Sequence, residues 1–134
     1  NATVVTRAGR VVKTAGFPEN IKSTHYHDID PIDRHLHKPE SPRRFSRAID
    51  IDKGDLYGLI LDSKFEPRGE VSISIVDFNL RTVLYEEINT ARTLNWSFSN
   101  YYWVDVFDGF VWKSVQHIAR GFPPIEIEVL KPAA

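Results

Sequence analysis

Residues 100–116 have the sequence NYYWVDVFDGFVWKSVQ and predict a tight antiparallel hairpin. Asp108 and Gly109 separate two runs rich in Val, Phe, Tyr and Trp, which are residues enriched in β-strands. Asp-Gly favours a two-residue type I′ turn, because both central positions of that turn need a positive φ. Such a turn would place Phe107 opposite Phe110 and would fix the register of the whole hairpin.

Because side chains alternate across a strand, this register divides the hairpin into two faces. The first face is mainly aliphatic and is expected to face the core: Tyr102, Val104, Val106, Val111, Lys113 and Val115. The second face mixes large rings with polar groups: Tyr101, Trp103, Asp105, Phe107, Phe110, Trp112, Ser114 and Gln116. A protein core uses that mixture only where the polar groups have partners, so the second face is the candidate for a functional surface.

The rest of the sequence predicts further strands joined by short turns. Residues 71–75 alternate apolar residues with serines, which is typical of a half-buried strand. The predicted strands are 3–14 as a short hairpin, then 21–26, 45–51, 56–65, 71–75, 82–91, 94–107, 110–119 and 125–129. Turns are expected at residues 67–69 and 77–80, where Asn79 would adopt the left-handed conformation.

No ten-residue segment of the chain has a clear helical period of apolar residues. Successive strands with short connections imply an antiparallel meander. Long strands with one apolar face must curve over their own core, so the predicted fold is all-β, with a strongly curved sheet or a partly open barrel. We expect a single domain over residues 1–134, with one long polar loop at residues 27–42.

The bulk composition excludes several classes of function. The chain has 134 residues, 17 of them basic and 18 acidic, for a net charge of -1. It therefore lacks the basic field that nucleic-acid binding requires, and no nucleic-acid partner is expected. With no cysteine, disulfides, thiol catalysis and zinc–thiolate sites are excluded. With no methionine either, the chain is expected to be a processed or truncated product.

The polar loop at residues 27–42 carries most of the histidines. Its composition predicts either an ordered loop or a flexible excursion, with a turn of helix near residues 31–36. Two His-x-His pairs flank its aspartates: His25, His27, His35 and His37. Imidazole and carboxylate groups are good ligands for transition metals. Histidines two apart on a strand point to opposite sides, however, so the sequence favours a solvated loop, and we predict no metal and no cofactor.

The sequence does not predict an enzyme. Glu86 and Glu87 are adjacent on a predicted strand, so their side chains point apart and cannot form an acid–base pair. His117 and Asp105 are further candidates on paper, but no known catalytic motif surrounds them. A glycosidase needs two facing carboxylates, and the aromatic face supplies only Asp105.

Three segments resemble the YjbF/GfcB (YmcC-type) family of outer-membrane lipoproteins. The most specific is the aromatic hairpin at residues 100–116, and the others are TRAGRVVKTAGFPENI at 6–21 and LKP at 130–132. The resemblance covers most of the chain and implies a partly open antiparallel β-barrel. It also implies a role in exopolysaccharide or group 4 capsule production in Gram-negative bacteria.

The resemblance further implies a periplasmic location and an anchor in the outer membrane. Family members are made with a signal peptide and a lipobox cysteine, and they are longer than this chain. Because no cysteine is present here, we expect the native signal and lipobox region to be absent from these 134 residues. Membrane anchoring is therefore an implication of the resemblance and not of any residue present.

The combined hypothesis is a non-catalytic domain that docks a glycan or a secretion protein on the aromatic face. Sugars stack their C–H faces on flat rings while their hydroxyl groups find polar partners, and this face offers both. The expected contact residues are Tyr101, Trp103, Asp105, Trp112 and Gln116.

Two alternatives remain open from the sequence. In the first, the rings only build a core, Asp105 bonds a Trp or Tyr donor or a backbone N–H, and an exposed edge strand recruits partners. Lys113 is not expected to pair with Asp105 in that case, since it is predicted on the other face of the hairpin. In the second, the half-barrel carries an apolar ligand such as a lipid. This would need an apolar cavity on the order of several hundred Å3, which is the usual size of a ligand pocket.

Overall fold

The structure, a computed structural model, describes residues 1–130 and their side chains apart from that of residue 55. Strands dominate the described chain. They are β1 Thr3–Arg7, β2 Arg10–Ala15, β3 Ile21–His25, β4 Arg44–Ile51, β5 Leu56–Ile75, β6 Phe78–Ala91, β7 Ser97–Asp105, β8 Val111–Gln116 and β9 Ile125–Glu128. One short 3-10 turn, Lys53–Asp55, lies between β4 and β5, and none of the helical structure in 1–130 is long enough to cross a membrane. Residues 131 and 132 of the LKP segment lie outside the described residues.

Strands β3 to β9 form one antiparallel sheet in chain order, and the sheet curls into a half-barrel. Strands β1 and β2 pair only with each other among the described strands and form a separate hairpin. The all-β antiparallel meander expected from the sequence is therefore confirmed. Within this sheet each strand after β3 pairs with the strand that precedes it in the chain, as consecutive strands commonly do.

The turn expected at residues 67–69 is wrong. Strand β5 continues through these residues, and its pairing with β6 shifts register between Pro67 and Glu70. Proline has no N–H to donate to a ladder, and a bulge is one of the few places where a paired strand tolerates it. The bulge therefore replaces the turn, and the two predicted strands at 56–65 and 71–75 are one.

The turn between β5 and β6 also lies earlier than expected. Val76 has a φ of 55°, whereas Asn79 sits in the ladder opposite Ser74. The apolar alternation of residues 71–75 extends to the end of β5, and the chain reverses at the next residue. A β-branched residue in the left-handed region is uncommon, which is why the composition pointed to Asn79 instead.

The loop between β3 and β4 is ordered and lies across the sheet. Residues 31–37 form consecutive turns instead of the expected turn of helix. Ile32 and Leu36 are buried against Phe65 and Tyr102 on the inner face. The backbone C=O of Leu36 also accepts a hydrogen bond of 2.8 Å from the hydroxyl of Tyr85. The loop therefore closes one part of the half-barrel with apolar side chains.

Strands β7 and β8 form the expected antiparallel hairpin, but the predicted register is wrong by one residue. Tyr102 lies opposite Ser114 and not opposite Val115, and the connection is a loop over residues 106–110. The backbone N–H of Asp105 donates to the C=O of Phe110 at 2.8 Å and closes this loop. A slip of one residue moves the side chains of one strand to the other face of the sheet.

Two aspartate side chains stabilise this longer loop. A carboxylate oxygen of Asp105 accepts a bond of 2.8 Å from the N–H of Phe107. Asp108 in the same way accepts a bond of 2.9 Å from the N–H of Phe110. Such local bonds between side chain and backbone compete with the strand ladder, so the two-residue turn does not form.

Candidate functional site

The register slip divides the predicted contact residues between two sides of the sheet. Tyr101, Trp103, Asp105 and Trp112 are partly exposed on the outer side. Gln116 is 2% exposed on the inner side. Trp112 shares the outer side because it is the extra residue of a bulge between the pairs Trp103–Lys113 and Val104–Val111. Four of the five predicted contact residues thus lie on the outer side of the sheet, and Gln116 lies on the inner side.

Asp105 is fully engaged by its own hairpin. One carboxylate oxygen accepts a bond of 2.9 Å from the indole N–H of Trp112, and the other accepts the N–H of Phe107. The ring of Trp112 also meets the ring of Phe110 edge-on, with 4.7 Å between centroids. This agrees with the alternative in which Asp105 bonds a Trp donor and a backbone N–H. Its carboxylate holds the shape of the outer aromatic surface.

The expected position of Lys113 on the face opposite Trp103 is wrong. Its ammonium group lies over the ring of Trp103, 4.9 Å from the centroid. Its charge is paired with Glu126 at 3.2 Å on the neighbouring strand β9. Lys113 therefore covers part of the Trp103 ring and bonds Glu126, not Asp105, on the outer side.

A second ion pair, between Arg68 of β5 and Glu86 of β6, borders the rings on the other side. Glu86 lies opposite Tyr101 and accepts bonds from the hydroxyl of Ser99 at 2.5 Å and from Arg68 at 2.6 Å. The hydrogen bond from Ser99 and that from Arg68 lower the pKa of Glu86. We call the surface between the two ion-paired groups the outer aromatic face; it comprises Leu84, Glu86, Tyr101, Trp103, Asp105, Trp112 and Lys113.

On the inner side, Gln116 joins the β1–β2 hairpin to the sheet. Its amide N–H donates to the C=O of Gly9 at 2.7 Å, and its carbonyl accepts the N–H of Val11 at 2.9 Å. A further bond of 2.9 Å runs from the same amide to the hydroxyl of Ser114. Every polar atom of this side chain is used to position the hairpin.

The most prominent polar feature of the interior is a charged cluster that the sequence did not reveal. Arg10 contacts Glu87 at 2.7 Å and Asp30 at 2.5 Å, and Arg47 lies 3.5 Å from Glu87. The hydroxyl of Tyr102 donates to Glu87 at 2.9 Å. Two guanidinium groups face two carboxylates, so the buried charges balance.

The electrostatics of the cluster keep it ionised. Burial by itself would raise the pKa of Glu87, but the attraction of Arg10 and Arg47, with hydrogen bonds from Arg10 and Tyr102, lowers it to about 2. Burial by itself would lower the pKa of Arg10. The negative charges around it, that of Glu87 above all, outweigh burial and raise the pKa well above its ordinary value. Glu87 is thus a carboxylate without a proton to give, enclosed at 0% exposure. That suits a structural role.

A signal for this cluster was present in the sequence. Glu86 and Glu87 were expected to point apart, and they do. Glu87 shares the parity of Tyr85 and Asn89 on β6, and all three are buried. Period-two alternation therefore assigns Glu87 to the core, where an ionised carboxylate requires a cationic partner. Its partner Arg10 could not be identified, because it comes from a hairpin outside the sheet.

The histidines of the polar loop are not brought together. His25 ends β3, the ring of His35 contacts the C=O of Asp33, and the ring of His37 packs against Gly109. Within residues 1–130, the His, Asp and Glu side chains form no group of three that could hold a metal ion.

The interior of the half-barrel has little empty space beside the charged cluster. The cavity beside Arg10, Arg47 and Gln116 measures about 10 Å³. That volume is on the order of a single water molecule. The alternative of an apolar ligand carried inside the half-barrel is therefore not favoured.

The chain is similar to a known protein family and to proteins of Escherichia coli. A family model described as "Group 4 capsule polysaccharide lipoprotein gfcB, YjbF" matches residues 1–130. "Uncharacterized lipoprotein GfcB" of Escherichia coli (strain K12) is 27% identical over 133 residues, which cover 99% of this chain and 62% of that protein. The chain thus spans about three fifths of this curated relative.

The fold matches a solved structure as well. The crystal structure of the hypothetical lipoprotein YmcC from Escherichia coli (K12) superposes with a TM-score of 0.84 at 27% sequence identity. The superposition covers 100% of this chain and 69% of that one. The family, the relative and the solved structure are all described as lipoproteins, and none of these descriptions includes an enzymatic activity.

Proposed function

The chain belongs to the family of group 4 capsule polysaccharide lipoproteins described as GfcB or YjbF, and from that membership we propose a role in the secretion or assembly of capsule polysaccharide. We propose that the protein works on the periplasmic side of the outer membrane, held there by a lipid anchor. The lipoprotein names of the family and of its relative support this location.

The proposed activity is the docking of a glycan segment on the outer aromatic face. The observation that carries it is the partial exposure of Tyr101 and Trp103 side by side on β7, between two ion-paired borders. Aromatic rings supply the stacking surface that sugar C–H groups need, and the borders supply donors and acceptors for hydroxyl groups. Asp105 and Trp112 complete the proposed contact set, whereas Gln116 supports the sheet from the inside.

The docking role requires no catalysis. Asp105 has both carboxylate oxygens bound to its own hairpin, and Glu87 is enclosed. Glycoside hydrolysis uses a pair of carboxylates that flank the scissile bond. Asp105 and Glu86 both border the rings, and the carboxylate of each is occupied by hydrogen bonds within the protein. This arrangement supports a binding protein.

A protein of the secretion machinery is the second candidate for docking, and the edge of the sheet favours it. Strand β9 pairs with β8, and no other strand within residues 1–130 pairs with it. Val129 donates its N–H to Trp112, so the odd-numbered residues of β9 face β8. The N–H and C=O groups of Glu126 and Glu128 consequently point to the free edge, where an extended segment of a partner could add a strand.

A titration tests the glycan proposal directly. The wild-type protein is titrated with size-fractionated oligosaccharides from purified group 4 capsule polysaccharide, and binding is followed by calorimetry and Trp fluorescence. Trp103→Ala is expected to weaken binding about tenfold or more, if a sugar on Trp103 gains as much as a nucleic-acid base stacked on an aromatic ring, about 1 to 3 kcal/mol. Tyr57→Ala is the matched control, since Tyr57 is 64% exposed at the start of β5, away from the rings.

Two results would count against glycan docking. One is the absence of heat and fluorescence change at millimolar oligosaccharide. The other is equal weakening by Trp103→Ala and Tyr57→Ala. Binding of a secretion protein that is blocked by crosslinking at β9, with no oligosaccharide binding, would move the assignment to the second candidate.

A further inference from the structure

A concave site lies next to the outer aromatic face, where the loop between β3 and β4 meets the loop between β7 and β8. Its volume is about 380 Å³. We call it the loop cleft; its walls include Gly9, Ile32, Asp33, Arg34, Phe110 and Val129. Clefts that take small ligands have volumes of roughly 300 to 1,000 Å³, so the site can hold a sugar residue.

Arg34 is held in an unusual backbone conformation at the rim of the cleft. Its φ is 57°, and its N–H donates to the C=O of Ile32 at 2.9 Å. Its guanidinium lies 5.2 Å from the centroid of the Phe110 ring and 3.4 Å from the carboxylate of Asp108. A long side chain in the left-handed region is uncommon, and such conformations concentrate at functional sites. The ring of Phe110 and the carboxylate of Asp108 therefore hold the guanidinium at the rim of the cleft.

The two loops that form the cleft interlock at Gly109. Gly109 has a φ of 77° and is buried against the ring of His37 and the backbone of Arg34. A Cβ at this position would overlap the His37 ring. The loops fit together only because residue 109 has no side chain, and the contact fixes the shape of the cleft before any ligand arrives.

The cleft is continuous with the outer aromatic face. Phe110 belongs to the wall of the cleft, and its ring touches Trp112, which is bonded to Asp105. A chain of sugar residues that lies on Trp103 can therefore continue past Trp112 and Phe110 without leaving the protein surface. This continuity distinguishes the loop cleft from the two concave regions at the opposite end of the strands.

We propose that the loop cleft is a subsite for one neutral sugar residue of the glycan that docks on the outer aromatic face, an inference that rests on the proposed function. Arg34 donates hydrogen bonds to a pair of neighbouring hydroxyl groups, and Asp33 accepts from them. Phe110 and Val129 form the apolar side of the site. The carboxylates of Asp33 and Asp108 outnumber the single guanidinium, so a neutral residue is preferred over an acidic one.

The subsite is tested by amide NMR on the 15N-labelled protein with the same capsule oligosaccharides. The amides of Gly9, Arg34 and Gly109 are expected to shift together with the indole N–H of Trp103. Arg34→Ala is expected to weaken binding about tenfold, in line with the loss of one hydrogen bond to a charged group. Arg44→Ala, which removes an exposed arginine of β4, is the control and leaves the affinity unchanged.

A second variant covers the case in which Arg34→Ala disturbs the loop. Asp33→Asn changes an exposed side chain and removes an acceptor charge while its size is kept, and it is expected to weaken binding severalfold with an unaltered spectrum elsewhere. The preference for neutral sugars is tested with cellohexaose and a galacturonate hexamer. Cellohexaose is expected to shift the cleft amides at millimolar concentration, and the galacturonate hexamer at least tenfold less effectively.

The outcomes separate the two proposals. Shifts at the Trp103 indole with no shift at Gly9, Arg34 and Gly109 would overturn the subsite and leave glycan docking intact. No shift anywhere would overturn both. A stronger response to the galacturonate hexamer than to cellohexaose would overturn the assignment to a neutral residue.

Discussion

The two sides of the half-barrel use the same chemistry for different ends, and Glu86 and Glu87 show the contrast. Glu87 is enclosed with Arg10 and is 0% exposed. Glu86 is 16% exposed and pairs with Arg68 on the outer side. A buried pair must stay intact, because each partner left alone would be an unpaired charge without water. The outer pair is in contact with solvent through Arg68, which is 44% exposed, so only this pair is within reach of a ligand.

The aromatic residues follow the same division. Tyr102 gives its hydroxyl to Glu87 and is fully buried, and burial raises its pKa above the ordinary value. Its neighbour Trp103 lies on the outer side, with its ring under the ammonium of Lys113. Adjacent positions on one strand thus separate the residue that holds the fold from the residue proposed to bind. The candidate site has to be sought among residues whose substitution leaves the fold intact.

The sharpest way to break this comparison is to truncate each glutamate. Glu87→Ala leaves Arg10 and Arg47 without their shared carboxylate, and the free energy of unfolding is expected to fall by about 3 to 5 kcal/mol. Glu86→Ala removes an exposed pair and is expected to cost between about 0 and 1 kcal/mol. Urea denaturation of both variants measures the two losses. Similar losses would show that the interior cluster contributes no more than a surface pair.

Acid should also destabilise the interior, because protonation of Glu87 removes the same buried negative charge. The pKa of Glu87 is about 2 in the folded protein, against an ordinary value of 4.5 that applies to the unfolded chain. A lowered folded pKa gives a stabilisation that is complete above about pH 4.5 and is lost as the pH falls towards 2, worth about 3 kcal/mol in total. Unfolding by urea between pH 6 and pH 2 measures this loss.

Glu87→Gln provides the matched variant for the acid experiment. It keeps the shape of the side chain and removes the titrating group, so the fall in stability between pH 4.5 and 2 is expected to become smaller. Glu86→Gln is the control and should largely keep the wild-type fall. If both variants retain the wild-type pH dependence, other carboxylates are responsible for it, and the balance of charges inside the half-barrel is not maintained by Glu87.

The sequence predicted the architecture because the relevant signals are local. Alternation such as that of residues 71–75 and the absence of helical periods depend only on neighbouring residues, and they were sufficient for an antiparallel meander. The hairpin register depended on a competition between a two-residue turn and a longer loop. The longer loop wins through the side chains of Asp105 and Asp108, and it also packs on His37. That last contact joins residues far apart in the chain.

The candidate site was predictable to the same limited extent. Tyr101, Trp103, Asp105 and Trp112 do share one side of the sheet. Gln116 was misplaced because the one-residue slip, together with the bulge at Trp112, changes which residues of β8 face outwards. The loop cleft could not be predicted at all, since its walls come from segments that are far apart in the chain and that only folding brings together.

The junction of these loops gives the third experiment. Gly109→Ala would place a methyl group against the His37 ring in a left-handed backbone, and a loss of about 2 to 3 kcal/mol is expected from strain and overpacking. Gly121→Ala has a similar φ, 85°, with nothing within 4 Å of the added methyl group. Its expected cost is the backbone strain alone, about 1 kcal/mol.

The difference between the two glycine variants isolates the contact between the loops. Both free energies come from urea denaturation, and the NMR amides of residues 33–37 report whether the loop moves in Gly109→Ala. Equal costs with unchanged amides would mean that the loops are not interlocked, and the pre-formed shape of the cleft would have to be abandoned.

The smallest expected effect concerns the bond that shapes the outer aromatic face. Trp112→Phe keeps a ring beside Phe110 but removes the N–H donor to Asp105, and a loss of about 1 kcal/mol is expected. Trp103→Phe keeps a ring under Lys113, so its cost should stay within about 0.5 kcal/mol. Because the two rings lie on the same side of one hairpin, the difference between these variants measures the hydrogen bond and not the burial of a ring. A larger loss in Trp103→Phe would assign the support of the hairpin to Trp103, and that residue would then be part of the fold and no longer free to serve as the stacking platform.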